Sequence, residues 1–155
     1  MLATRTQLGV GMGLLRITRT PLVTVNGHGS VMDAVRTMHE EHIGAIAVVD
    51  NNRLIGIFSE RDLMNRVVLQ RRDPDNTVVG DVMTSPVITI QRTATADDAL
   101  KLMDEKHIRH LPVVNTDGKL AGMLSIRSLL HEKVEDLRDQ LDSLEAYFTA
   151  DGAGG

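Results

Sequence analysis

The sequence contains no cysteine and no tryptophan, and aromatic residues make up only 2% of it. Without cysteine there can be no disulfide, thiolate metal site or cysteine nucleophile, and a reducing cytoplasm suits such a chain. With one tyrosine and two phenylalanines there is scarcely a ring on which bases could stack, and a net charge of −4 gives no basic face for a phosphate backbone. Nucleic acid is therefore not an expected partner. Long apolar runs are missing too, since none approaches the roughly 20 residues of a membrane span. The one signal-like stretch, Leu8 to Leu15, is broken by glycines and followed by Arg16 and Arg19 instead of a cleavage site. The expectation is a soluble cytoplasmic protein with a core of Val, Ile, Leu and Met.

What the chain does have is an internal repeat. Pro21 to Asn52 aligns with Pro86 to Asp117 at a shift of 65 residues, and after one inserted residue Arg53 to Leu63 aligns with Lys119 to Leu129. The register pairs Thr24 with Thr89, Asp33 with Asp98, Met38 with Met103, His42-Ile43 with His107-Ile108, Gly56 with Gly122 and Ser59 with Ser125. It fails at one chemically important place, where Asp62 of GIFSERDL is answered by Ser128 of GMLSIRSL.

Each copy reads as strand, helix, strand, strand, helix. Leu22 to Val25 is a short strand after a proline, and Ser30 is placed to cap a helix over Val31 to His42. Ala45 to Val49 and Leu54 to Phe58 are apolar runs joined by Asp50-Asn51-Asn52-Arg53, the composition of a tight hairpin. The expected class is α+β: two β-α-β-β-α repeats, each near 60 residues and marginal alone, sharing a core as one pseudo-symmetric module. The expected bounds are a leader over 1–20, a first motif over 21–72, a linker over 73–80, a second motif over 81–131, a helical extension over 132–148 and a disordered tail over 149–155.

In the extension, Leu130, Val134, Leu137, Leu141, Leu144 and Phe148 follow steps of 4, 3, 4, 3 and 4, the spacing of a coiled-coil seam. The spacing leaves open a seam between chains, a stripe on the chain's own core, or fraying after Leu141.

No catalytic constellation is visible: there is no P-loop and no serine, histidine and acid set in motif context. The six histidines form no HExxH or similar ligand pattern, the methionines fall in apolar patterns, and Gly9, Gly11 and Gly13 read GVGMG instead of GxGxxG. An enzyme and a metal site are therefore not expected.

GIFSERDL is different. A strand passing into a helix at Ser59 presents free backbone N–H groups and the positive end of the helix, which suit a phosphate. Asp62, one turn on, could accept hydrogen bonds from a ribose diol. The same residues would also make a capping box without any ligand, and the two roles are compatible.

The doubled unit, with VMTSPV at Val82–Val87, HIRHLPVV at His107–Val114 and GIFSERDL at Gly56–Leu63, resembles a tandem pair of cystathionine-β-synthase (CBS) domains, the Bateman module, over Pro21 to His131. The resemblance implies a regulatory module that takes an adenosyl ligand such as AMP, ADP, ATP, NAD or S-adenosylmethionine between its motifs and pairs into a homodimer. Carried onto this chain, it implies a cleft of Ser59, Arg61 and Asp62 closed by Thr84, Ser85, Pro86, Val87 and Ile88, with Ile108, Arg109 and His110 opposite. Val87, Ile88 and Ile108 would enclose the adenine. Arg109, His110 and Arg61 would meet phosphate, with a solvated surface charge as the lesser alternative for Arg109.

The mirror cleft would use Thr20, Pro21, Leu22, Val23, Ile43, Gly44, Ala45, Ser125 and Ser128. Here a serine stands in place of the ribose acid, and Gly44-Ala45 replace Arg109-His110. A neutral hydrogen bond is worth about 1 kcal/mol against roughly 1.5–3 for a charge-assisted one, so this cleft is expected to bind weakly or stay empty. The alternative function is a dimerising adaptor that keeps the fold without a nucleotide.

Overall fold

The computed structural model of the protein describes residues 13–152. Positions 1–12, with Gly9, Gly11 and most of the expected leader, and 153–155 of the expected tail lie outside the described residues.

The first motif contains β1 (Thr24–Asn26), α1 (Val31–Glu40), β2 (Ala45–Asp50), β3 (Arg53–Ser59) and α2 (Glu60–Asp62), which widens into a π-helical stretch over Leu63–Val68. A short α3 (Val79–Val82) follows. The second motif contains β4 (Ile90–Gln91), α4 (Ala96–Lys106), β5 (His110–Val114), β6 (Leu120–Ser125) and α5 (Ile126–Gly152). Each motif forms its own three-stranded sheet, in the orders β1-β2-β3 and β4-β5-β6. In both, the first pair is parallel and the second antiparallel. The class is α+β, with the two repeats matching element for element.

Local chemistry explains the shared pattern. Ser30 and Thr95 cap α1 and α4, each accepting from the backbone N–H three residues on. His42 and His107 both take left-handed φ values of 55° at the ends of these helices. The amides after them close the last turns, Ile43 N–H on the Met38 carbonyl and Ile108 N–H on that of Met103, both at 3.0 Å. Asn51 and Asn52, at φ 48° and 62°, form the tight turn between β2 and β3.

The structure departs from the expected shared core. There are two apolar clusters, one built on Val31, Ile46, Val48 and Phe58 and the other on Ile90, Leu111, Val113 and Leu124. Each is completed by a segment preceding the other motif. Val79 and Val82 of α3 fill the first cluster, and Leu14 fills the second from a 3₁₀ turn at Gly13–Ile17. Part of the expected irregular leader and the end of the expected linker are thus core-forming. Leu14 is 2% exposed, and burying such a side chain stabilises by about 1.5–3 kcal/mol.

At the other end, α5 continues through Gly152, so 149–152 are helical where a disordered tail was expected. The Thr149 hydroxyl donates to the Glu145 carbonyl at 2.7 Å, leaving the helical turn intact. The apolar stripe of α5 does not lie on the module, because Leu130 to Phe148 are 45 to 70% exposed along its length. No helix among the described residues is long and apolar enough to cross a membrane.

Candidate functional site

β3 delivers Ser59 to the start of α2, where a capping box forms. The Ser59 hydroxyl accepts from the Asp62 amide at 3.2 Å, while Oδ2 of Asp62 accepts from the Ser59 amide and hydroxyl, both at 3.0 Å. Oδ1 faces the other motif, where it accepts from the Thr84 hydroxyl at 2.9 Å and lies 3.8 Å from Nε of Arg66. Asp62 is 6% exposed and its charge is balanced by this set of donors.

Thr84 is held there by the backbone. It exchanges hydrogen bonds with Ile57, amide to carbonyl in both directions, at 2.8 and 3.1 Å. The guanidinium of Arg66 donates to the carbonyl of Met83 beside it. Gly56 permits the close crossing, since a Cβ there would stand 2.2 Å from Sδ of Met83 and 3.1 Å from the Thr84 carbonyl oxygen. Sequence reasoning did not assign Arg66 to the site, although its position four residues after Asp62 is the spacing of a helical ion pair.

The remaining expected residues fall into neighbouring hollows. Arg61, Ile108 and Arg109 line one of about 630 Å³ with Leu100, Lys101 and His107. His110 is half-buried outside that hollow, beside Gly44 and Glu60. Burial holds its imidazole below the usual histidine range, with Glu60 pulling the value up and Arg109 pushing it down. Ser85, Pro86 and Val87 line a separate hollow with Leu54, Ile55 and Val114, near the start of β3 instead of its end. Ile88 is exposed. Direct hydrogen bonds thus join Ser59, Asp62 and Thr84, and Arg61 joins Ile108 and Arg109, while Ser85 to Val87 stand apart. Lys101 is a further basic residue at the hollow that the sequence pattern did not single out.

The second motif repeats the scaffold without its charge. The Ser125 hydroxyl donates to Oγ of Ser128 at 3.0 Å and accepts from the Ser128 amide at 3.1 Å. The repeat puts Arg19 where Thr84 stands, and its guanidinium pairs instead with Glu41 at 2.6 Å. Thr20 and Pro21 are exposed, Leu22 is half-buried, Val23 and Ile43 pack on the first cluster, and Ala45 is buried inside β2. A hollow of about 330 Å³ lined by Val35, Met38, His42, Ile43, Gly44 and Glu60 is the repeat equivalent of the one beside Arg109. The two differ in charge: Arg61, Lys101 and Arg109 line the larger, opposed by Asp104, whereas Glu60 lines the smaller. An anion is favoured on one side only.

Among the described residues no group of three or more His, Asp or Glu is placed to hold a metal ion.

Comparison with known proteins gives a consistent result. The model of the CBS domain matches residues 15–69 and 79–135. The mitochondrial CBS domain-containing protein CBSX3 of Arabidopsis thaliana is 36% identical over 123 residues, which are 76% of this chain and 59% of that protein's length. The crystal structure of the CBS-domain containing protein ATU1752 from Agrobacterium tumefaciens aligns at a TM-score of 0.70 and 35% identity, covering 77% of this chain and 94% of that one. The CBS domain protein PAE2072 from Pyrobaculum aerophilum, complexed with AMP, aligns at a TM-score of 0.67 and 28% identity, covering 73% and 86%.

Proposed function

The chain belongs to the CBS-domain family, and from that premise we propose that it is a regulatory, non-catalytic module that binds one adenosyl ligand at the first motif and signals by a change in how its two motifs are joined. The observation that carries this reading is the asymmetry of the repeats: Ser59, Asp62 and Thr84 form a charged, hydrogen-bonded constellation beside a basic hollow, and Ser125, Ser128 and Arg19 do not. The AMP found in a relative of the same fold fits this chemistry.

The ribose diol donates to Oδ1 of Asp62 in place of the Thr84 hydroxyl. Phosphate turns toward Arg61 and Arg109, since the amides of Ser59, Glu60 and Asp62 are engaged within the chain. The adenine lies between Ile108 and the Val87-Ile88 segment, which moves in from its neighbouring hollow. Because Thr84 opens the second motif and Asp62 closes the first, exchanging one donor for another alters the link between them. A regulated protein that prefers one state gains only the difference in its affinity for the two. ADP, ATP, NAD and S-adenosylmethionine share the adenosine that these residues read, and the module works as a homodimer.

One observation favours a second reading. Both carboxylate oxygens of Asp62 are already engaged within the chain, as a purely structural pin would be, so an adaptor that uses no nucleotide is the alternative.

Calorimetric titration with AMP, ADP, ATP, NAD and S-adenosylmethionine tests the choice, with Asp62→Asn and Arg109→Ala alongside. Saturable binding at one site per chain, weakened tenfold or more by either substitution, a loss of about 1.4 kcal/mol, supports the sensor. Lack of binding by ligand-free protein at millimolar nucleotide leaves the adaptor.

A further inference from the structure

Only the first three turns of α5 touch the module. Leu129 is fully buried, Glu132 pairs with Arg16, and Lys133 pairs with Asp97 of α4. From Leu137 to Ala150 every residue is exposed, so the helix projects into solvent for about 20 Å at 1.5 Å per residue. A lone helix of that length is marginal in water. This one also carries Leu130, Val134, Leu137, Leu141, Leu144 and Phe148 on a single narrow stripe, each largely exposed. An apolar stripe that follows only the alternating three- and four-residue steps is a seam for another helix; packing on a broad core needs a wider face.

We propose that the stripe pairs antiparallel with the same stripe of a second copy of this chain. In the register that covers all six residues, Leu130 meets Phe148, Val134 meets Leu144 and Leu137 meets Leu141, each twice. The exposed parts of these twelve side chains would bury on the order of 1,000 Å² in total, the size at which a contact becomes a specific interface.

The flanking charges select both the partner and the direction. Along one edge of the stripe lie His131, Arg138 and Glu145, and along the other Lys133, Gln140 and Tyr147. Parallel pairing would set Lys133 against Arg138 of the second copy at both edges, with no acid beyond the Asp97 and Glu135 that each already has in its own chain. Antiparallel pairing brings Glu145 of each copy beside His131 of the other, and lays the aliphatic stem of Lys133, whose ammonium stays on Asp97, beside the ring of Tyr147. Arg138 comes near Arg138 of the second copy at the centre, where each has its own Glu135 within 3.5 Å. The inference does not depend on nucleotide binding.

Sedimentation velocity of the full chain at micromolar concentration tests it, with the doubly substituted Leu137→Glu, Leu144→Glu chain as control. Both positions are exposed in the single chain, so the module keeps its fold and its thermal transition. The expected result is a lower association state for the variant than for the wild type. Because the chain has no cysteine, direction is read by mixing Leu130→Cys and Phe148→Cys chains under oxidation: a disulfide between the two variants is expected, with little linking of either to itself. A monomeric wild type, the same association state for the wild type and the variant, or self-linking of Phe148→Cys overturns the proposal.

Discussion

The Thr84 hydroxyl donates to Oδ1 of Asp62 across 2.9 Å, fastening the entry to the second motif onto the helix that closes the first. A hydrogen bond to a buried charge contributes about 1.5–3 kcal/mol. Thr84→Val, which keeps the shape and removes the donor, is expected to lower stability by that amount, read as a shift of the urea midpoint at unchanged slope. If Asp62→Asn is combined with it, the two losses should fall short of additive, because both remove the same contact.

Gly56 lies under the crossing of β3 and the Met83-Thr84 segment. A methyl group there would press on the sulfur of Met83, which can swing aside, and on the Thr84 carbonyl, which is fixed by its bond to Ile57. Gly56→Ala should cost about 1–3 kcal/mol. Hydrogen exchange should locate the damage, with faster exchange at the Ile57 and Thr84 amides than in β5.

Ser128→Asp would restore in the second motif the acid that the first one has. The Ser125 amide gains an acceptor and the start of α5 gains a negative charge at its positive end. A stabilisation of about 1 kcal/mol in urea unfolding is expected, typical of a restored cap. A loss would mean that Arg19 and its Glu41 partner, in place of Thr84, leave no room for the carboxylate.

His110 gives the protein a pH dependence of known sign. Burial depresses its folded value below the unfolded one near 6.5, so as pH falls through that value the unfolded chain takes up the proton first. The contribution of His110 is fully favourable above about pH 7 and declines as the solution is acidified toward the folded value. Urea midpoints of the wild type should fall more steeply between pH 7 and 5 than those of His110→Gln, which has no proton to gain. Parallel curves would assign the acid sensitivity to other groups.

Much of this architecture is written in local chemistry. The hairpin at Asn51-Asn52, the cap at Ser30, and the spacing of the α5 stripe all depend on residues within a few positions of one another, and all are readable from the chain. The mismatch of Asp62 and Ser128 is readable too, because the repeat supplies its own reference. Leu14 and the pair Val79 and Val82 are not, since segments of four or five residues show no period and gain meaning only from the cluster they enter. Nor does spacing reveal that Thr84 occupies the oxygen a ribose would need. That contact joins residues 22 positions apart through a backbone crossing, and only the folded chain brings them together.

The reciprocal loan of Leu14 to one core and of Val79 and Val82 to the other has a consequence for ancestry and assembly. A polypeptide carrying one repeat and its preceding turn would have a gap in its interior and a plug that fits only a sibling. Two such molecules could complete each other by exchanging plugs, at the mercy of dilution. Joining them in one chain replaces that encounter with a tethered one at millimolar effective concentration. The halves should therefore melt in a single transition, and neither should persist when cut from the other.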